Sequence, residues 1–69
     1  MEYLVIIEPA VDGTFSAYVP DLPGCVGCGD SVEEFQGSIE EAIALHTGSL
    51  RRHGEPVPSP RASSVMIPV

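Results

Sequence analysis

The chain has 69 residues, a net charge of −7 and a hydrophobic fraction of 43%. This length allows one domain, and so small a core commonly needs a staple, a metal or a second subunit. The hydrophobic fraction excludes a disordered chain, and no apolar run approaches the ~20 residues that span a bilayer. The start MEYLVIIEPA lacks the basic residues of a signal peptide, so we expect a cytoplasmic protein without a membrane anchor.

The acidic charge is concentrated in residues 1–50, which contain no lysine or arginine. The basic residues are Arg51, Arg52 and Arg61. Such a surface repels phosphate backbones, so we expect no affinity for duplex RNA or DNA. It suits a basic protein partner, although an acidic surface that serves only solubility is an equally simple interpretation.

Three short strands are predicted before residue 30. The run YLVIIE at 3–8 is apolar on both faces, which is typical of a strand covered on both sides. Asp12-Gly13 is a turn signal, and residues 14–20 alternate in polarity, so these stretches predict a hairpin. A second turn, DLPG, leaves room for a short third strand at 25–29.

One long helix is predicted over residues 31–54. Ser31 with Glu34 forms a capping-box pattern, while Gly54 and the prolines that follow it end the helix. The apolar residues recur at helical spacing and form one stripe: Val32, Phe35, Ile39, Ala42, Ile43, His46 and Leu50.

A proline-rich link at 55–63 then leads to SVMIPV at 64–69, whose alternation predicts a terminal edge strand. The expected fold is therefore α+β, with the order β-β-β-α-β in a single domain over residues 1–69. A right-handed crossover places the last strand beside the first and gives a four-stranded mixed sheet of order 3-2-1-4. The first strand is then central, and one helix covers one face.

One helix leaves the other sheet face open, so we expect a homo-oligomer, either a dimer or a tetramer. The interface is expected among apolar residues of the first two strands: Tyr3, Val5, Ile7, Phe15 and Val19.

The pair Cys25 and Cys28 has the CxxC spacing of a redox or metal site. Both cysteines precede the helix cap, however, and residues three apart in extended chain point to opposite faces, too far apart for a disulfide. A zinc ion needs two further ligands, and the histidines lie on the distant half of the helix. We therefore favour structural cysteines, with metal and redox roles as the lesser alternatives, and expect no cofactor and no metal.

The stretch from YLVIIE through AYVPDLPGC, GDSVEEF and EEAIALH to GEPVP, about residues 3–60, resembles the N-terminal domain of the HicB family of bacterial antitoxins. The resemblance implies a degenerate RNase H-like fold that binds and inhibits a HicA toxin, a small basic mRNA-cleaving ribonuclease. An active RNase H site needs clustered carboxylates from several elements, whereas the first strand offers only Glu8 and SVMIPV offers none. We therefore expect a protein that is not an enzyme.

The resemblance and the charge together predict an antitoxin of a type II toxin–antitoxin system that neutralises a HicA-like toxin by protein–protein binding. The expected partner-binding residues are Asp30, Glu33, Glu40 and Glu41. HicB antitoxins usually append a DNA-binding domain, and no such domain follows residue 69 here, so we do not expect autorepression by this polypeptide alone. The alternative is a stand-alone structural or regulatory homo-oligomer without a toxin partner.

Overall fold

The computed structural model describes residues 2–69 and shows an α+β fold in which three strands precede one helix. Strand β1 spans Ile6–Pro9, β2 spans Phe15–Tyr18 and β3 spans Val26–Gly29. Helix α1 spans Val32–Arg52. The strands form an antiparallel sheet of order β1-β2-β3, so β1 and β3 are its two edges.

The predicted four-stranded sheet of order 3-2-1-4 is wrong. Residues 64–69 form no strand, and β1 is an edge strand, not a central one. The reason lies in the path of the proline-rich link. The Tyr3 hydroxyl donates to the carbonyl of Pro58, and the backbone N–H groups of Arg61 and Ala62 donate to the carboxylate of Asp21. These contacts lead the chain toward the turn between β2 and β3, away from the open edge of β1.

The β1–β2 hairpin turns at the predicted Asp12-Gly13 pair. Gly13 has φ +87°, which favours glycine, and its N–H donates to the carbonyl of Ala10 at 3.1 Å. Asp12 Oδ1 accepts hydrogen bonds from the backbone N–H and the hydroxyl of Thr14, at 3.1 and 2.7 Å. These local bonds fix the register that pairs Pro9 with Phe15.

Helix α1 begins and ends as the sequence predicts. Ser31 is the N-cap, and its Oγ accepts from the N–H of Glu34 at 3.2 Å. At the other end Gly54 has φ +70°, and the N–H of Glu55 reaches back to the carbonyl of Leu50 at 2.9 Å. This pattern is a Schellman motif, which satisfies carbonyls that the last turn leaves unpaired.

Two glycines of β3 bring α1 close to the sheet. A Cβ atom on Gly29 would lie 2.7 Å from the backbone nitrogen of Phe35, and one on Gly27 would lie 3.2 Å from Cδ1 of Ile39. Helix α1 therefore packs over β3 and β2, and the rings of Phe15 and Phe35 meet with centroids 5.9 Å apart.

The core lies between α1 and the sheet, and the sequence pattern finds most of it. It consists of Ala17, Val19, Leu22, Cys25, Phe35 and Ile39. Two buried residues escape the periodic pattern. Leu22 is fully buried although it lies in a turn, and Thr47 is buried on α1, where its hydroxyl donates to the carbonyl of Ile43 at 2.9 Å. Conversely, Val32 belongs to the predicted apolar stripe but is 54% exposed.

Candidate functional site

The exposed side of α1 carries two pairs of carboxylates. Glu33 and Glu40 are seven residues apart, as are Glu34 and Glu41, so each pair lies along one line of the helix surface, two turns apart. All four side chains are exposed. We call this surface the glutamate face. The predicted partner residues Glu33, Glu40 and Glu41 belong to it, and the structure adds Glu34, which the heptad spacing could have identified.

Small residues separate the two rows of the glutamate face. Gly37 and Ala44 lie between the glutamate pairs and are exposed, and a Cβ atom on Gly37 would have no neighbour within 4 Å. A partner side chain can therefore approach the helix backbone between the carboxylates.

Asp30 extends the acidic surface beyond the start of α1. It is exposed, directly precedes the N-cap Ser31, and lies next to the acidic first turn with Glu33 and Glu34. The N-terminal end of a helix carries a partial positive charge, so acidic side chains at this end favour the helix. Negative charge can therefore accumulate here at little expense to folding.

A groove opens beside the glutamate face because α1 packs over β3 and β2 and leaves the inner face of β1 partly uncovered. The cavity measures about 510 Å³. Its walls are formed by largely apolar side chains of the β1 segment and of α1: Tyr3, Val5, Ile7, Val32, Phe35, Ile39 and Ile43. The polar side chains of Glu2, Gln36 and Glu40 lie among them. We call it the β1–α1 groove.

The predicted oligomer-interface residues fall into two groups. Phe15 and Val19 pack in the core under α1, and Val19 is only 2% exposed, which leaves it almost no surface for a partner. Tyr3, Val5 and Ile7 line the β1–α1 groove, where Ile7 is 48% exposed. Whether a second subunit covers this second group stays a prediction.

The two cysteines lie in different surroundings and are both free. Cys25 is buried in the core just before β3, and burial raises the pKa of its thiol. Cys28 lies within β3 on the outer face of the sheet, where it pairs with Ser16 and is exposed. The placement agrees with the prediction that residues three apart in extended chain point to opposite faces.

Among residues 2–69, no group of three or more histidine, cysteine, aspartate or glutamate side chains is placed to hold a metal ion. Within the same part of the chain, no helix combines the length and the apolar character needed to cross a membrane.

Comparison with known proteins gives relatives across several groups of microorganisms. The sequence is 37% identical over 67 residues to "UPF0150 protein Ta0767" of Thermoplasma acidophilum, covering 97% of each chain. It is 43% identical over 56 residues to "UPF0150 protein ssr1765" of Synechocystis, covering 81% of this chain and 71% of the relative. Such coverage means that these short relatives share the domain described here.

Two solved structures share the fold. A chain of a "HicA3 and HicB3 toxin-antitoxin complex" aligns with a TM-score of 0.72 at 36% identity, covering 88% of this chain and 70% of that one. The N-terminal domain of the Burkholderia pseudomallei antitoxin HicB aligns with a TM-score of 0.81 at 25% identity, covering 91% of this chain and 74% of that one.

The sequence also matches, over residues 3–67, the family described as the HicB_like antitoxin of bacterial toxin-antitoxin systems. The match spans nearly the whole chain, including β1, the two turns, α1 and the segment after it. Together with the shared fold, it confirms the resemblance seen in the sequence: this chain belongs to the HicB-like antitoxin family.

Proposed function

We propose that this protein neutralises a small basic toxin of the HicA type by binding it through the glutamate face of α1. The observation that carries the proposal is the set of exposed carboxylates on one helix surface, in a chain whose first fifty residues contain no lysine or arginine. Family membership and the likeness to a chain of a solved toxin-antitoxin complex support the same function.

The proposed action requires no catalysis by this chain. A basic ribonuclease binds RNA by neutralising phosphates, so an acidic protein surface competes for the same positive charge. The two carboxylates of each row lie two helical turns apart, so they can engage arginine or lysine side chains at several points. Such contacts raise the association rate and select basic partners. Glu33 and Glu40 form one such row, and Glu34 and Glu41 form the other. We propose that this inhibition takes place in the cytoplasm.

The same charge argues against direct binding of nucleic acid by the free protein. Only Arg51, Arg52 and Arg61 carry positive side chains. We therefore propose that the protein reaches RNA only through its toxin partner, and that titration with duplex RNA at physiological salt gives no binding curve.

The test uses a small basic toxin of the HicA type that is co-expressed with this protein. We expect the antitoxin to restore growth when that toxin is induced and to bind it in calorimetric titration. The double variant Glu33→Lys with Glu40→Lys should weaken binding by at least about a hundredfold, since each close charge pair contributes about 1.5 kcal/mol or more. The expected affinity of the unmodified protein falls with added salt.

The matched control carries the same change of net charge elsewhere. Glu8→Lys with Glu55→Lys alters exposed residues outside the glutamate face and should reduce binding much less. Equal losses for the two double variants would show that only net charge matters and would refute the glutamate face as the binding site. If the unmodified protein neither binds the toxin nor restores growth, the stand-alone oligomer is the better description.

A further inference from the structure

Residues 64–69 form an uncovered apolar segment. This segment, SVMIPV, carries no charged side chain, and its large side chains are far more exposed than is usual for their type: Val65 77%, Met66 94%, Ile67 72% and Val69 125%. An extended segment that alternates β-branched residues with others is typical of a strand. All six of its residues are exposed.

The same chain has an uncovered apolar groove beside an open strand edge. The β1–α1 groove is lined by Tyr3, Val5 and Ile7 on one side and by α1 on the other. The β1 edge beside it pairs with no strand among residues 2–69, so its backbone groups on that side have no partner in the sheet. Open edges and apolar grooves together bind extended chain, because the edge supplies hydrogen bonds and the groove accepts alternate side chains.

The segment is led away from the groove of its own subunit. The link passes from the Tyr3 hydroxyl to the Asp21 carboxylate, which lies in the turn between β2 and β3. Asp21 closely follows β2, so the hydrogen bonds of residues 61 and 62 hold the start of the segment beside β2 and not along the open edge of β1. The hydrogen bonds at Asp21 would have to break before the segment could fold back along β1.

We propose that residues 64–69 of a second copy of this chain occupy the β1–α1 groove, and that two copies exchange these segments reciprocally. Each subunit keeps its own three strands. Val65, Ile67 and Val69 lie on one side of the extended segment and enter the groove, while Met66 remains outside. Arg61, three residues before the segment, supplies positive charge for the groove mouth that contains Glu2 and Glu40.

Pro68 fits this arrangement. Backbone N–H and C=O groups of successive residues in an extended chain point to opposite sides. When the backbone groups of residues 65, 67 and 69 point toward β1, residue 68 directs its backbone outward, where the N–H that proline lacks is not needed for pairing. An outward proline prevents a further chain from adding to the new edge. In a reciprocal exchange each copy places its segment in the groove of the other, and no segment or groove remains free. The assembly is therefore a closed dimer with two-fold symmetry.

The test is the self-association of the full-length protein by sedimentation velocity over a range of concentrations. We expect a dimer of the unmodified chain at micromolar concentration. Ile67→Asp should raise the dimer dissociation constant by at least about tenfold, because it places a charge in the groove. Met66→Asp is the matched control one residue away, and it should change the constant by less than about threefold because this side chain stays in solvent.

Mixing two variants distinguishes exchange between copies from binding within one chain. Ile7→Asp damages the groove and leaves the segment intact, whereas Ile67→Asp does the reverse. Each variant alone should be monomeric, and an equimolar mixture should form a mixed dimer with one intact segment in one intact groove. Circular dichroism of each variant checks that it is folded; both changed residues lie at exposed positions, Ile7 at 48% and Ile67 at 72%.

Three outcomes would overturn the proposal. A stable monomer of the unmodified chain excludes the exchange. Equal effects of Ile67→Asp and Met66→Asp place the contact elsewhere, for example on the outer sheet face. Failure of the two variants to associate on mixing shows that the segment and the groove do not meet between copies. The measurement needs no toxin, so its result is independent of the proposed antitoxin function.

Discussion

The carboxylate of Asp21 accepts hydrogen bonds from the backbone N–H of Ala62, a residue 41 positions later, at 3.0 and 3.3 Å. This contact joins the turn after β2 to the chain that follows α1. It holds the proline-rich link against the body of the protein, and it decides the direction in which residues 64–69 leave.

Replacing Asp21 by asparagine should weaken this junction. The amide side chain would keep the shape of the carboxylate but lose the negative charge and one acceptor, while the N–H groups of Arg61 and Ala62 remain. Since a hydrogen bond to a charged group contributes more than a neutral one, we expect a loss of about 1–3 kcal/mol in the free energy of unfolding, measured by urea denaturation. Glu55→Gln removes one charge from an exposed residue and should leave stability nearly unchanged. Equal stabilities of the two variants would contradict a structural role for Asp21.

Gly29→Ala and Gly37→Ala should have opposite effects on stability. A methyl group on Gly29 would lie 2.7 Å from the backbone nitrogen of Phe35, so α1 must move away from the sheet. We expect a loss of about 1–3 kcal/mol, as for other overpacked cores. Gly37 lies on the exposed side of α1 with no atom within 4 Å of the new methyl group, so alanine should stabilise the helix by about 0.5–1 kcal/mol. Thermal or urea unfolding of the two variants checks both signs, and a stabilising Gly29→Ala would refute the close approach of α1 to β3.

The two cysteines should differ sharply in reactivity. Cys28 is exposed, whereas Cys25 is buried and its thiol pKa is raised by burial, so little thiolate is accessible there. We expect an alkylating reagent at neutral pH to label Cys28 at least about tenfold faster than Cys25, because burial keeps the reagent from Cys25 and raises the pKa of its thiol. Peptide mass spectrometry measures both rates. In urea the rates should become similar, and similar rates in the native protein would show that Cys25 is not protected.

The Asp12 turn should add a pH dependence to stability at acidic pH. The hydroxyl and the backbone N–H of Thr14 both donate to this carboxylate and hold its pKa below the ordinary 3.8. Because the pKa of Asp12 is lower in the folded state, the unfolded chain binds the proton more readily. The stabilisation that the ionised carboxylate gives to the folded state is therefore complete above pH 3.8 and is lost as the pH falls through the lowered pKa. Asp12→Asn cannot titrate, so its stability relative to the unmodified protein should improve as the pH falls below 3.8. Parallel curves of unfolding midpoint against pH would contradict this assignment.

Sequence alone determined the local structure, because local hydrogen bonds and periodicity act within a few residues. Asp12-Gly13 turns where it is predicted to, Ser31 caps α1, and Gly54 ends the helix in the left-handed conformation. The apolar stripe correctly placed Phe35 and Ile39 against the sheet. Motifs along the chain also identified the antitoxin family.

Only the tertiary structure decided where the helix lies on the sheet and where the last residues go. Gly27 and Gly29 allow α1 to approach β3 closely. The helix therefore leaves a groove along β1, which the periodicity of the sequence does not predict. Leu22 is buried because the turn around it folds under the helix, although its neighbours Asp21 and Pro23 predict exposure. The segment at 64–69 has the composition of a strand, yet strand pairing depends on an edge within reach. The hydrogen bonds of Asp21 direct the segment elsewhere, and such long-range contacts cannot be read from local preference.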